Sequence, residues 1–293
     1  MSDGQIKDAM NIQKKFPFEH TELEGYINNP DSLKPLDVEL LLIKANRLAY
    51  KPERPLFYMP DKNTTEVSSK DRQAAALFLK KRAGIPLYSG FEDIVATANL
   101  NVEQFMRVFS YFIDRLIYSK ELNKNREISP EEQKKIFDNI TSHYIDKIIK
   151  PLQYGNKINQ LTENLCNFFK ARTYEPNAPH APGVTQFALL ASEIQDLYDG
   201  KFPGFKKILT TAIAYNVIVP EPPTSQGKKG SEKKHPFSVN RLLCIHYELP
   251  LQKGDFQLIP IRLLSEMCDK SITPLDIKYY KNKLHQGLWN NNE

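Results

Sequence analysis

The chain has 293 residues; 41% are hydrophobic, 26% are charged, 11% are aromatic, and the net charge is +5. This composition is typical of a globular protein and excludes a disordered one, and the length suits about two domains. The N-terminal stretch MSDGQIKDAMNIQKKF has no apolar core segment. The longest apolar runs, such as ELLLI, are far shorter than the ~20 residues of a membrane span. We therefore expect a soluble cytoplasmic protein that does not bind membranes.

The cysteines and histidines do not have the spacing of metal ligands. Cys166, Cys244 and Cys268 form no CxxC pair, and the six histidines include no HExxH motif. Walker A, GxGxxG and GxSxG motifs are absent from the sequence as well. We therefore predict no metal, no cofactor and no catalytic residue, and we expect that the chain is not an enzyme.

Helix-start signals recur along the chain and predict a mainly α-helical protein. In each signal a hydroxyl side chain can accept a hydrogen bond from a free backbone amide, and an acidic residue follows three positions later. The pairs are Ser68 with Asp71, Ser89 with Glu92, Ser129 with Glu132, and Thr273 with Asp276.

Apolar residues at steps of three and four predict three long helices that pack against a core. Stripes rich in Phe and Met usually face a core, so we assign no ligand to them. The second stripe spans residues 136–148 and the third spans 158–169. The first consists of Val102, Phe105, Met106, Phe109, Phe112, Ile113 and Leu116.

From residue 183 the pattern changes to short strands and short helices. The strand GVTQFAL precedes the helix ASEIQDLYDG, which Gly200 ends, and the helix FPGFKKILTTAIAYN follows. Next come the strand VIVPEPP, a basic loop and the strand HPFSV. With the helix before residue 183, this is the order of elements in a winged-helix domain. In such a domain the second helix of the helix-turn-helix, here FPGFKKILTTAIAYN, normally reads DNA.

That second helix has an apolar face and a polar face. We expect the apolar face to pack on the core and the polar face to meet a DNA groove. The apolar face consists of Phe205, Ile208, Leu209, Ala212 and Ile213. The predicted DNA-binding residues are Lys206, Lys207, Thr210 and Thr211 on the helix, and Lys228, Lys229, Lys233 and Lys234 in the loop.

The basic loop belongs to the stretch PPTSQGKKGSEKKHPFSVN, which lies between two predicted strands. Residues 201–234 carry seven lysines against two glutamates, so their net charge of +5 equals that of the whole chain. Lysine ammonium groups suit phosphate contacts, and with no arginine there the pattern favours salt-sensitive binding to the backbone of duplex DNA. The alternatives are a solvated hairpin that is basic by chance, or a winged helix that binds protein.

Five segments of the sequence together show a further pattern: RPLFYMPD, DRQAAALFLKKRAGIPLYSGFEDIVATANLNVEQFMRVFSYF, ISPEEQ, HAPGVTQFAL and HPFSVNRLLCIHYELPLQKGDFQL. In this order they resemble the later part of bacterial origin-recognition-type AAA+ ATPases, and the likeness covers roughly residues 54–260. It implies a mainly α fold in which a helical lid-like bundle precedes a winged helix with a small β-hairpin wing. The implied division is an N-terminal helical segment (1–67), a lid (68–150), a winged helix (151–260) and C-terminal helices (261–293).

The sequence also departs from that family. The resemblance implies a P-loop core before the lid, yet residues 1–53 are too short to hold one. Glu103 stands where such a lid offers an arginine to the nucleotide, and Arg107 lies one helical turn further on. An acid facing a γ-phosphate would be repelled, which argues against nucleotide sensing.

Three hypotheses follow from these patterns. The first is a DNA-binding module that is truncated or encoded separately. The second is an interaction subunit that docks on a separate P-loop ATPase, or self-assembles, and binds no DNA of its own. The third is an ATPase with an unrecognised site. Replication, mobile-element control and phage defence are all compatible with such a protein.

Overall fold

The computed structural model describes residues 35–49, 68–99, 101–121, 127–224 and 232–277. This part of the chain is mainly helical, with a four-stranded sheet. The helices are α1 Pro35–Ala49, α2 Ser69–Ala83, α3 Phe91–Ala96, α4 Val102–Glu121, α5 Pro130–His143, α6 Gly155–Thr173, α7 Ala191–Tyr198, α8 Pro203–Ala214, α9 Arg241–His246 and α10 Ile261–Met267. A π-helical turn, Tyr144–Ile149, continues α5. The strands are β1 Val184–Leu190, β2 Ile218–Pro220, β3 Lys234–Val239 and β4 Asp255–Leu258.

The chain forms two compact units. The described part of the first unit comprises residues 35–49, 68–87 and 173–183, and the second holds the other described residues. This packing does not test the four-part division made from the sequence, which stays a prediction. The C-terminal residues 278–293, including Trp289, lie outside the described residues.

In the first unit α1 packs against α2. Their shared core consists of Leu40, Ile43, Ala74, Ala75 and Ala178. Helix α2 begins after Ser68, whose side chain accepts from the Asp71 amide, as the sequence predicts. It ends at Gly84, which takes a left-handed φ of 67°.

The other predicted helix starts have mixed outcomes in the second unit. Ser129 accepts from the Glu132 amide, which confirms the predicted start of α5. Thr273 and Asp276 cap each other reciprocally, which confirms that signal too. The prediction for Ser89 is wrong, because the N-cap of α3 is Gly90, with φ of 99°.

The predicted stripe on α4 is only partly correct. Phe112 is buried as expected, but Val102 is 76% exposed and Met106 is 57% exposed. The buried side of this helix instead runs through Gln104, Val108 and Phe112. A polar side chain occupies this core position because its amide finds hydrogen-bond partners there, whereas apolar residues remain on the outer side.

The sheet has the strand order β2-β3-β1-β4. Strand β3 runs antiparallel to both β1 and β2, with Ser238 opposite both Gln186 and Val219. The rings of Phe187 and Phe237 stack with their centres 5.2 Å apart, and both side chains are buried. Strand β4 pairs in parallel with β1, and the sequence patterns did not predict it as a strand.

The elements predicted after residue 183 are present in the predicted order. Helix α7 is followed by Gly200 with φ of 79°, and α8 begins at Pro203. The buried face of α8 consists of Phe205, Ile208, Leu209 and Ala212, with Ile213 half-buried. The lysine-bearing face therefore points outward, as its residue spacing predicts.

Candidate nucleic-acid interface

Helix α8 presents two adjacent lysines to solvent. Lys206, Lys207 and Thr210 are exposed, and Thr211 is half-buried. The Thr210 hydroxyl donates to the Lys206 carbonyl at 2.7 Å, and the Thr211 hydroxyl donates to the Lys207 carbonyl at 2.9 Å. Because both hydroxyl protons are already used within the helix, the lysine ammonium groups are the donors that α8 offers to a phosphate.

An exposed tyrosine lies beside these lysines. Tyr198, the last residue of α7, is 72% exposed, and the Lys206 Nζ lies 5.5 Å from the centre of its ring. This cation–π contact holds the ammonium group near the end of α7. Tyr215, directly after α8, is 56% exposed. Neither tyrosine was singled out from the sequence, because a lone tyrosine at a helix end gives no distinctive pattern.

The base of the basic loop is fixed by backbone hydrogen bonds. Thr224 and Lys234 exchange two backbone bonds, at 2.9 and 3.0 Å. The Lys233 carbonyl accepts from the Ala191 amide at 3.0 Å, and the Glu232 carboxylate accepts from the Ser192 amide. Hydrogen bonds from Ser192 lower the pKa of Glu232. The loop is therefore anchored on both the sheet and the first turn of α7.

The loop lysines differ from one another. Lys233 is exposed, whereas Lys234 is half-buried with its Nζ 5.6 Å from the centre of the Phe256 ring. Lys228 and Lys229 lie outside the described residues. Lys233 is thus the described loop lysine whose side chain is most accessible to a phosphate.

Helix α7 connects the lysines of α8 with the lysines at the base of the basic loop. Its first turn binds the base of the loop, and its last residue contacts Lys206. Ser192 and Tyr198 are six residues apart, which corresponds to about 9 Å along a helix axis. The helix thus sets the separation of the two groups.

Ion pairs remove part of the charge counted from the sequence. Lys201 pairs with Asp196 at 2.6 Å, and Glu221 pairs with Lys253 at 2.7 Å. Within the described part of the chain, neither Lys206 nor Lys207 forms an ion pair. The positive charge still available on α8 is therefore concentrated on these two side chains.

The positions considered for nucleotide sensing are paired with each other. Glu103 and Arg107 form an ion pair of 2.6 Å on the outer side of α4, where Glu103 is 77% and Arg107 is 44% exposed. Such a pair is typical of a solvated helix surface.

A family model matches residues 12–257 of the chain, most of its length. The chain belongs to the ORC-CDC6-like family. The match relates it to origin-recognition AAA+ proteins and extends further toward the N-terminus than the resemblance seen in the sequence. Searches of curated proteins and of solved structures find no match.

For this ORC-CDC6-like chain, the structure can be compared with the expectations about membrane spans and metal ligands only over the described residues. No helix in these ranges is long and apolar enough to cross a membrane. The same ranges contain no group of three or more His, Cys, Asp or Glu side chains that could hold a metal ion.

Proposed function

We propose that β1, α7, α8, β2 and β3, together with α6, form a winged-helix module that binds duplex DNA mainly through its phosphates. Helix α8 is the helix that enters or borders the groove, and the basic loop is the wing. The chain order and the antiparallel arrangement of β2, β3 and β1 support this assignment.

One observation carries the proposal. The outward face of α8 bears Lys206 and Lys207 without an ion-pair partner in the described chain, and α7 joins that face to the base of the basic loop. Lysines without acidic partners retain their full charge for phosphates, and binding releases counterions from DNA. A hairpin that was basic by chance would need neither feature.

Fluorescence anisotropy with a labelled duplex tests the proposal. Affinity should fall between about 50 mM and about 200 mM salt, because each phosphate contact releases counterions. Replacing Lys206 and Lys207 together by Gln should weaken binding to all duplexes alike and reduce the slope of log K against log salt by about 2.

The matched control is the replacement of Lys134 and Lys135 by Gln. These are also adjacent exposed lysines on a helix, but they lie on α5. Their replacement should leave both the affinity for duplex DNA and the slope of log K against log salt unchanged. The absence of DNA binding by the unmodified chain, or an equal loss with both double variants, would overturn the proposal.

A second candidate function rests on a different surface. We call it the α3–α4 apolar face; it consists of Phe91, Val95, Val102, Met106 and Phe109. Phe91 is 61% exposed, and its ring meets that of Phe109 edge-on at 6.2 Å. Exposed apolar groups that are clustered in this way are typical of protein-interaction sites. In this function the chain docks on a separate P-loop ATPase subunit.

Size-exclusion chromatography distinguishes the two functions. The chain would be run alone and mixed with an ORC-CDC6-like protein that carries a Walker A motif. A complex that forms with the unmodified chain, but not after Val102→Asp with Met106→Asp, supports docking. Tyr118→Asp, an exposed position on the same helix outside the α3–α4 apolar face, is the control. A dimer of the chain alone that the same changes disrupt would instead show self-assembly.

A further inference from the structure

A small polar cavity lies at the end of the sheet opposite the basic loop. Thr185 and Gln186 of β1, Ser238 and Val239 of β3, and Arg241 of α9 line it together with Asn99. It is partly open to solvent and has space for about one or two water molecules. The basic loop joins β3 at Lys234, whereas this cavity adjoins Val239 at the other end of the strand, about 16 Å away.

Two amide groups in this cavity lack hydrogen-bond acceptors. The Gln186 Nε2 and the Asn99 Nδ2 are both buried without a partner, and Gln186 as a whole is only 3% exposed. The pairing of β1 with β4 is irregular between Val184 and Gln186, so that consecutive residues of β1 line the same cavity. A buried donor without an acceptor is costly, so these two groups favour a bound species that accepts hydrogen bonds.

The charge of the lining favours an anion over water. Arg241 is half-buried; its Nη1 donates to the Ala96 carbonyl at 3.0 Å, and no carboxylate in the described chain pairs with it. The acidic group in the lining, Glu221, is already paired with Lys253 and accepts from the Ser238 hydroxyl. One guanidinium charge therefore remains uncompensated beside two free amide donors.

We propose that this cavity binds a single small anion of the size of chloride. The anion accepts hydrogen bonds from the Gln186 and Asn99 amides and neutralises Arg241. Since the cavity lies between the start of β1, the end of β3 and the start of α9, a bound anion stabilises the fold of the second unit. This site is separate from the proposed DNA surface, so either proposal can fail without the other.

Thermal unfolding at a constant ionic strength of about 0.15 M tests the site, with gluconate replaced stepwise by chloride. Gluconate is too large to enter the cavity. Chloride should raise Tm by about 3 °C, and above Kd the rise should follow the logarithm of the chloride concentration. General salt effects on the protein surface grow roughly in proportion to salt concentration instead.

Two variants remove one amide donor each. Gln186→Glu keeps the shape of the side chain but replaces the donor by a carboxylate that can itself pair with Arg241. Asn99→Gly removes the other donor, and glycine suits the left-handed backbone of Asn99, with φ of 51°. The chloride-dependent rise in Tm should disappear in the first variant and shrink in the second.

Asn216→Gly is the matched control. Asn216 also has a left-handed φ, of 56°, and its Nδ2 is also buried without an acceptor, but it does not line the cavity. Its chloride dependence should equal that of the unmodified chain. Anomalous diffraction from unmodified crystals grown in sodium bromide is independent of the variants and should place a peak between Gln186 and Arg241. No rise in Tm with chloride, the same rise in Gln186→Glu, or a cavity without a bromide peak would overturn the proposal.

Discussion

Gln104 on α4 and Asn240, the N-cap of α9, exchange two side-chain hydrogen bonds in the core. The Gln104 Nε2 donates to the Asn240 Oδ1 at 3.1 Å, and the Asn240 Nδ2 donates to the Gln104 Oε1 at 2.8 Å. Asn240 also donates to the Asn216 carbonyl and accepts from the Leu242 amide. The pair thus connects α4, the turn after α8 and the start of α9.

Replacing Gln104 by Ala should destabilise the protein by about 1–3 kcal/mol, because it leaves the buried Asn240 amide with fewer partners. Asn240→Ala should cost a similar amount and also remove the cap of α9. Urea unfolding measures both variants, with Gln153→Ala at an exposed turn as the control. The double variant should lose less than the two single losses together, because the residues interact directly. Strict additivity would show that they act independently.

Tyr198 is expected to assist DNA binding by orienting Lys206. Tyr198→Ala should weaken duplex binding about two- to fivefold, the size of an exposed cation–π contact. Tyr198→Phe should retain most of the affinity, because the ring rather than the hydroxyl faces the ammonium group. Anisotropy titrations measure both, and Tyr118→Ala on α4 should change nothing. An equal loss in the Phe and Ala variants would assign the effect to the hydroxyl instead.

The three cysteines should be unreactive in the folded protein. Cys166, Cys244 and Cys268 are at most 2% exposed, and burial raises the pKa of Cys244 and of Cys268 to about 12. Since the thiolate is the reactive form, iodoacetamide should label native protein far more slowly than urea-unfolded protein at the same pH. Rapid labelling of any one thiol in the native protein would contradict this.

The same pKa shifts predict a loss of stability in alkali. A thiol whose pKa is raised by folding stabilises the folded state below its unfolded pKa, and that contribution is lost as the pH rises above about 9. The free energy of unfolding should therefore fall between about pH 9 and pH 12. Replacing Cys244 by Ala should make this fall less steep, which urea unfolding at each pH can measure.

Arg47 holds three parts of the first unit together. Its guanidinium donates to the Asp71 carboxylate at 2.8 Å, and to the carbonyls of Asn177 and Ala178 at 2.9 and 2.8 Å. Arg47→Lys should cost about 1–2 kcal/mol, because an ammonium group cannot reproduce this planar set of bonds. Hydrogen exchange of residues 173–183 should become faster. Arg72→Lys, an exposed position on α2, should leave it unchanged.

Local signals in the sequence predicted the elements whose formation depends on neighbouring residues. The caps at Ser68 and Ser129 and the two faces of α8 follow from hydrogen bonds and side-chain spacing within a few residues. The local rule failed at Ser89 because Gly90 takes a left-handed conformation that moves the start of α3 by one residue.

Contacts between residues that are far apart in the sequence could be identified only from the tertiary structure. Gln104 lies on the buried side of α4 because its partner is Asn240, 136 residues away, and no helical period indicates that contact. Strand β4 is only four residues long and pairs with β1, so its own pattern is too short to reveal it. The cavity beside Arg241 likewise combines residues from five separate segments.

The sequence by itself determined that this chain is mainly helical, where its basic charge is concentrated and which side chains of α8 face outward. Only the tertiary structure decided which of those charges remain unpaired. Lys201 is neutralised by Asp196, the base of the basic loop is anchored on α7, and Lys206 rests on Tyr198. The physical reason is that net charge is a sum over residues, whereas the charge available to a partner depends on which groups are neighbours in space.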